Sequence, residues 1–139
     1  MTAKSFVDTN VLVYCFDVGE PAKRKRALAI LEGDIDVGDL VLSTQVLQEF
    51  YVAVTRKLKR PLSPAEAAAI VDDLAKLPAV QIDVAMVRAA IADCQSHRLS
   101  LWDSLVLRAA LTASCERVLT EDLQHGFVFE SLRIENPFL

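Results

Sequence analysis

Long hydrophobic runs are absent from this sequence. No apolar stretch reaches the ~18 residues of a membrane span, and the first residues lack the extended apolar core of a secretion signal. A cytoplasmic protein with no membrane partner is therefore expected. Paired cysteines are lacking too. Cys15, Cys94 and Cys115 are an odd count, scattered through apolar segments with no C-x-x-C spacing, and His97 and His125 are the only histidines. A structural zinc site is thus disfavoured, and buried free thiols are expected. There is no internal repeat, linker or low-complexity segment, so the 139 residues read as one domain, 1–139, long enough to bury a core. Excess positive charge is the last absence. A formal net charge of −4 argues against a protein that coats nucleic acid non-specifically. It leaves open a nuclease whose metal supplies positive charge locally.

Apolar residues, by contrast, make up 53% of the chain. That surplus fits either a well-filled core or apolar surface covered by a partner or second copy. Short apolar runs alternate with helical patterns. "SFVD" reads as a strand, followed by helix from Thr9 and again from Pro21 to Glu32. "LVLS" reads as a second strand leading into the helix "TQVLQEFYVAVTRKL". In "SPAE", Ser63 can cap, Pro64 can sit first inside and Glu66 can complete a capping box. That helix is predicted to stop at Leu77, before Pro78. "VQID" gives a third strand, with Asp83 capping "VAMVRAAIADCQ". Leu105, Val106, Ala109, Ala110 and Ala113 recur at helical spacing. "RVLT" is a fourth strand and "LRI" a weak fifth. Strands separated by helices predict an α/β fold, a parallel sheet of about five strands flanked by helices.

Ligands of open α/β sheets bind beyond the carboxyl ends of the strands. Asp8 ends the first strand and Asp122 follows the fourth, with Asn10 adding a polar oxygen near Asp8. Yet Asp at a strand-to-helix junction is also a good N-cap, worth ~1 kcal/mol. Asp83 is assigned that structural role. Ser100 and Asp103 have capping-box spacing. Glu49 lies away from the centre of the stripe Val46, Leu47, Phe50, Tyr51 and Val54, as a solvated surface residue would. Each acid thus has a structural and a functional reading.

Four segments in order, "FVDTNVL", "VLQEF", "LSLWDSLV" and "VLTEDLQHG", resemble the PIN-domain nucleases, and among them the VapC-like toxins of bacterial type II toxin–antitoxin pairs. The resemblance implies a PIN-like three-layer fold with the first strand central and the second and fourth beside it. It maps the acidic site onto Asp8, Glu49, Asp103 and Asp122, with Asn10 and Thr120 in support and Glu121 a competitor for the role of Asp122. It departs at Ser104, where many relatives carry alanine.

Carboxylates gathered in one cleft repel, at ~4 kcal/mol for two charges ~4 Å apart in an effective dielectric of ~20. A cation or shared protons would relieve this, and oxygen ligands favour Mg²⁺ or Mn²⁺ over Zn²⁺. Metal-dependent hydrolysis of a phosphodiester is expected, and the resemblance implies RNA as the substrate. Asp8, Asp103 and Asp122 would hold metal, and Glu49 would orient a water or ligate. Two basic clusters, "KRKR" with Lys23 and Arg24 and "RKLKR" with Arg56 and Lys57, read either as guides for RNA or as solvated and helix-terminal charge. Trp102, Tyr14 and Tyr51 are expected in the core or an interface. The family further implies a cognate antitoxin and a homodimer. The alternatives are a PIN-like module that binds without cutting, or a haloacid-dehalogenase-type phosphotransfer enzyme. The latter's D-x-D pattern would need an acid where Asn10 stands.

Overall fold

The structure is a computed structural model that describes residues 3–34 and 37–139. Six strands are found among the described residues: β1 (Ser5–Val7), β2 (Leu40–Ser43), β3 (Ala79–Val80), β4 (Arg117–Leu119), β5 (Val128–Phe129) and β6 (Leu132–Glu135). They form one sheet in the order β3-β2-β1-β4-β6-β5. Neighbours run parallel except β5, which is antiparallel to β6. The flanking helices are α1 (Thr9–Tyr14), α2 (Pro21–Ala29), α3 (Thr44–Arg56), α4 (Pro64–Leu74), α5 (Val84–His97) and α6 (Leu101–Thr112). No helix among the described residues is long and apolar enough to cross a membrane.

Every residue of β1 and β2 is buried, as a parallel strand covered on both faces requires. This is why both read as unbroken apolar runs. Phe6 lies opposite Val41 and Val118 in register, and Leu12, Phe50, Leu107 and Ile134 complete the core around them. Cys15 and Cys115 are buried and Cys94 half-buried, all as free thiols.

The helix starts follow their sequence signals. Ser43, Ser63, Asp83 and Ser100 accept from the backbone N–H of Val46, Glu66, Met86 and Asp103 at 3.3, 3.1, 2.9 and 3.0 Å. Each reaches the third helical residue, the standard capping geometry. Ser63 and Glu66 form the complete capping box.

Several boundaries differ from expectation: α2 ends at Ala29 rather than Glu32 and α3 at Arg56 rather than Leu58. The sixth strand, β5, is two residues folded back on β6 through Glu130 at φ 51°, too short to leave a period-two signal. The third strand is Ala79–Val80 rather than "VQID". There the Ile82 N–H donates instead to Thr44 Oγ1 at 3.2 Å. Helix α4 ends at Leu74, not Leu77, because Lys76 and Leu77 close a tighter turn on Asp73 and Leu74 carbonyls ahead of Pro78.

The topology positions the rest. With β2, β1 and β4 adjacent and parallel, their carboxyl ends share one edge, so residues 8, 43–49 and 120–122 meet there. Helix α6 is fixed against α5 by Arg108, which grips Asp93 with Nε on Oδ2 and with Nη2 on Oδ1 at 2.9 Å.

Candidate active site

Asp8 is the N-cap residue of α1, but its bonding differs from that of Ser43, Ser63, Asp83 and Ser100. Its Oδ1 accepts from the adjacent Thr9 N–H at 2.8 Å rather than from the third residue. Its Oδ2 accepts from Thr120 Oγ1, at 2.9 Å, across the β1–β4 junction. The side chain thus serves the start of α1 with one oxygen and ties β1 to the end of β4 with the other. Asp83, by contrast, is a plain cap.

Thr120 is the hub of the edge. Its hydroxyl donates to Asp8 and accepts from Asn10 Nδ2 at 3.1 Å and from the Asp122 N–H at 3.0 Å. One proton and two lone pairs are all in use. Asn10 is equally satisfied: Nδ2 also donates to Asp122 Oδ2 at 3.0 Å, and Oδ1 accepts from the Glu121 N–H at 3.3 Å. Those partners fix which way its amide faces.

The electrostatics join the four acids. Burial pushes Asp8 up to about 6, with the Asp122 and Glu49 charges adding and the Thr9 and Thr120 hydrogen bonds opposing. Asp103 is also raised, first by burial and further by Asp122, against its Ser100 hydrogen bond. Asp122 is thus the charge felt by both. Glu49 projects from α3 beside them, its Oε1 accepting from Gln45 Nε2 at 2.6 Å.

Glu49 and Asp122 line a cleft of about 680 Å³ together with Asn10, Gln45 and Trp102, while Asp8 and Asp103 lie outside its lining. Two buried side-chain oxygens without a hydrogen-bond partner, Thr9 Oγ1 and Gln45 Oε1, belong to residues of this lining. Among the described residues, no three His, Cys, Asp or Glu side chains are already gathered as a metal-ligand set. The donor chemistry nevertheless suits a hard cation: Asp8 and Asp103 are raised by neighbouring carboxylates, spare oxygens lie nearby, and the acids bring oxygen donors alone.

Glu121 faces elsewhere. It accepts from the Tyr14 hydroxyl and from Lys23 Nζ at 2.9 Å, while Lys23 also donates to Tyr14 at 3.2 Å. This trio ties α1 and α2 to the turn after β4, and it occupies Lys23. Arg24 is exposed and donates to the Cys15 carbonyl at 3.2 Å. Lys57 lines the cleft, whereas Arg56, also exposed, is outside its lining. His125 Nδ1 accepts from the Asn136 N–H at 3.0 Å in its loop. Sequence reasoning missed Gln45, although its four-residue spacing from Glu49 puts both on one side of a helix. It also missed that Trp102 stands in the cleft wall, 63% exposed. Ser104 is fully buried and accepts from Cys94 Sγ at 3.4 Å, so this hydroxyl has a partner in α5.

Solved structures share this fold. One is VapC20 of Mycobacterium tuberculosis, a toxin that cleaves the sarcin–ricin loop, with a TM-score of 0.68 and 16% identity, covering 86% of this chain and 92% of that one. A toxin–antitoxin complex from Klebsiella pneumoniae has a TM-score of 0.71 and 18% identity, covering 96% and 98%. VapBC2 from Rickettsia felis, bound to a DNA fragment of its promoter, has a TM-score of 0.61 and 14% identity, covering 95% and 97%. At these identities the similarity is one of fold. No relative is found among curated proteins. The sequence model of the PIN domain matches residues 5–127, a span that holds Asp8, Glu49, Asp103 and Asp122. The chain belongs to the PIN domain family.

Proposed function

We propose that this protein is an endoribonuclease that hydrolyses RNA phosphodiester bonds with Mg²⁺ or Mn²⁺, and that it serves as the toxin of a toxin–antitoxin pair. The observation that carries the reading is the electrostatic coupling of four acids: Asp122 raises both Asp8 and Asp103, and Glu49 adds to Asp8. Family membership supports the nuclease assignment, and the fold shared with VapC toxins supports the toxin assignment. A cognate antitoxin and a second copy of the chain are the partners this implies.

Asp8, Asp103 and Asp122 would hold the cation. When bound, it lowers the pKa of a water and stabilises charge on the leaving oxygen. The chain's own residues do the rest. Thr120 pins one oxygen of Asp8, and Asn10 pins one oxygen of Asp122. Each oxygen keeps a second lone pair for a ligand. Glu49, steadied by Gln45, accepts a proton from the attacking water and so orients it. Lys57 at the cleft wall offers a charge to a substrate phosphate.

Purified protein freed of any antitoxin is expected to cleave a structured RNA with Mg²⁺ or Mn²⁺, and EDTA is expected to stop it. Cleavage that survives complete chelation would sink the metal mechanism.

A further inference from the structure

We propose that Trp102 is a stacking platform for an unpaired base of the RNA, directing cleavage to single-stranded nucleotides. The proposal rests on the RNA reading above. Trp102 is the sole tryptophan of the chain, and it is 63% exposed instead of packed in the core. Leaving an indole in water forgoes the burial that usually retains one. Its position supplies a reason. It precedes Asp103 in the first turn of α6 and lines the same cleft as Asn10, Glu49 and Asp122.

The ring's support is built. The Trp102 carbonyl accepts from Gln45 Nε2 at 3.3 Å, and the same nitrogen donates to Glu49 at 2.6 Å. One amide therefore sets the spacing between the aromatic residue and an acid. Both partners are acceptors, so the nitrogen must face them. The Gln45 oxygen is left buried without a partner beside the cleft.

A base is the occupant that matches these parts. A phosphate held beside Glu49 and Asp122 lies in the cleft that Trp102 also lines, and Trp102 is the exposed aromatic of that lining. Val13, Val52, Ala53 and Leu58 continue the cleft as apolar surface, and Lys57 adds a cation. An aromatic face for the base with a cation for the backbone is the combination that holds single strands. A duplex, whose bases already stack on one another, has no free face to offer. An apolar protein segment would cover the ring as well, but it gains nothing from Glu49 and Asp122 in the same lining.

The sole tryptophan makes the test direct. On an Asp122→Asn background, with Mg²⁺ present and cleavage removed, a single-stranded oligonucleotide is expected to quench indole emission about twofold. An abasic strand of equal phosphate count should leave it unchanged. Trp102→Ala should weaken binding ~10-fold and Trp102→Phe by under ~3-fold, the range seen when a stacked aromatic is removed. In the cleaving protein, Trp102→Ala should raise KM ~10-fold with kcat within ~2-fold. If Trp102→Ala cuts RNA with unchanged KM, the platform is refuted and the nuclease reading stands. Emission that responds to a co-expressed protein partner but not to the oligonucleotide would also refute it. A wild type that neither binds nor cleaves RNA overturns both readings.

Discussion

At the scale of single residues, Asp8 is the informative case. It occupies the sequence position of a helix cap, yet its carboxyl bonds the neighbouring amide and Thr120. Asn caps a helix about as well as Asp, so substitution separates the roles. Asp8→Asn, Asp103→Asn and Asp122→Asn are each expected to lose most RNA cleavage, while Asp83→Asn keeps it. Equal effects at Asp8 and Asp83 would defeat the site assignment. Stability gives an independent measure. The folded pKa of Asp8, about 6, lies above the ordinary 3.8. The native state therefore binds this proton more tightly than the unfolded chain does. Its contribution is fully present below pH ~4, declines as pH rises, and is gone above about 6, a cost of about 3 kcal/mol for the metal-free protein at neutral pH. Asp8→Asn should then melt at the same or higher temperature than wild type in EDTA at pH 7, with the gap closing near pH 4. Mg²⁺ should reverse the order, since a ligand at a hundredfold excess over Kd adds ~2.7 kcal/mol to the protein that binds it. Melting curves that place the variant below wild type in EDTA, with no metal response in either protein, would rule out clustered acids.

At the scale of elements, what the sequence disclosed depended on whether the signal was local. "SFVD" and "LVLS" announced β1 and β2 because buried parallel strands are apolar along their whole length. Ser63 with Glu66, and Asp83, announced their helices because a cap involves only three or four consecutive residues. The two-residue β5 was not legible, having no period to show. In the site, Asp8, Glu49, Asp103 and Asp122 came from a family pattern. Their own surroundings read equally well as caps and solvated surface. The cleft position of Trp102 and the hold of Lys23 and Tyr14 on Glu121 depend on tertiary contacts between distant segments, which no window of sequence contains. The clasp of Asp93 and Arg108 is a further tertiary feature with a measurable weight. It joins α5 to the helix that carries Asp103 and is largely shielded from water. Removing one partner of a buried pair costs ~3–5 kcal/mol, and the partial exposure of Arg108 lowers that. Asp93→Asn is expected to cost about 2 kcal/mol, read as a lower urea midpoint at unchanged slope. An unchanged midpoint would show that the clasp is idle.

At the scale of the whole molecule, the bond between Thr120 and Asp8 joins residues 112 apart in sequence, and Asn10 reaches Asp122 over the same span. Both of these bonds cross the seam where β1 meets β4. Nothing in the first half of the chain can rehearse these bonds alone. The candidate site is therefore yoked to the global folding transition. In a urea titration, the loss of RNA cleavage should coincide with the loss of helical circular dichroism. Activity that faded well before the fold would show the seam to be the weakest join in the molecule. A coincident transition would mean that the chain has no half-assembled form able to cut, so that it passes from harmless to active in a single cooperative step.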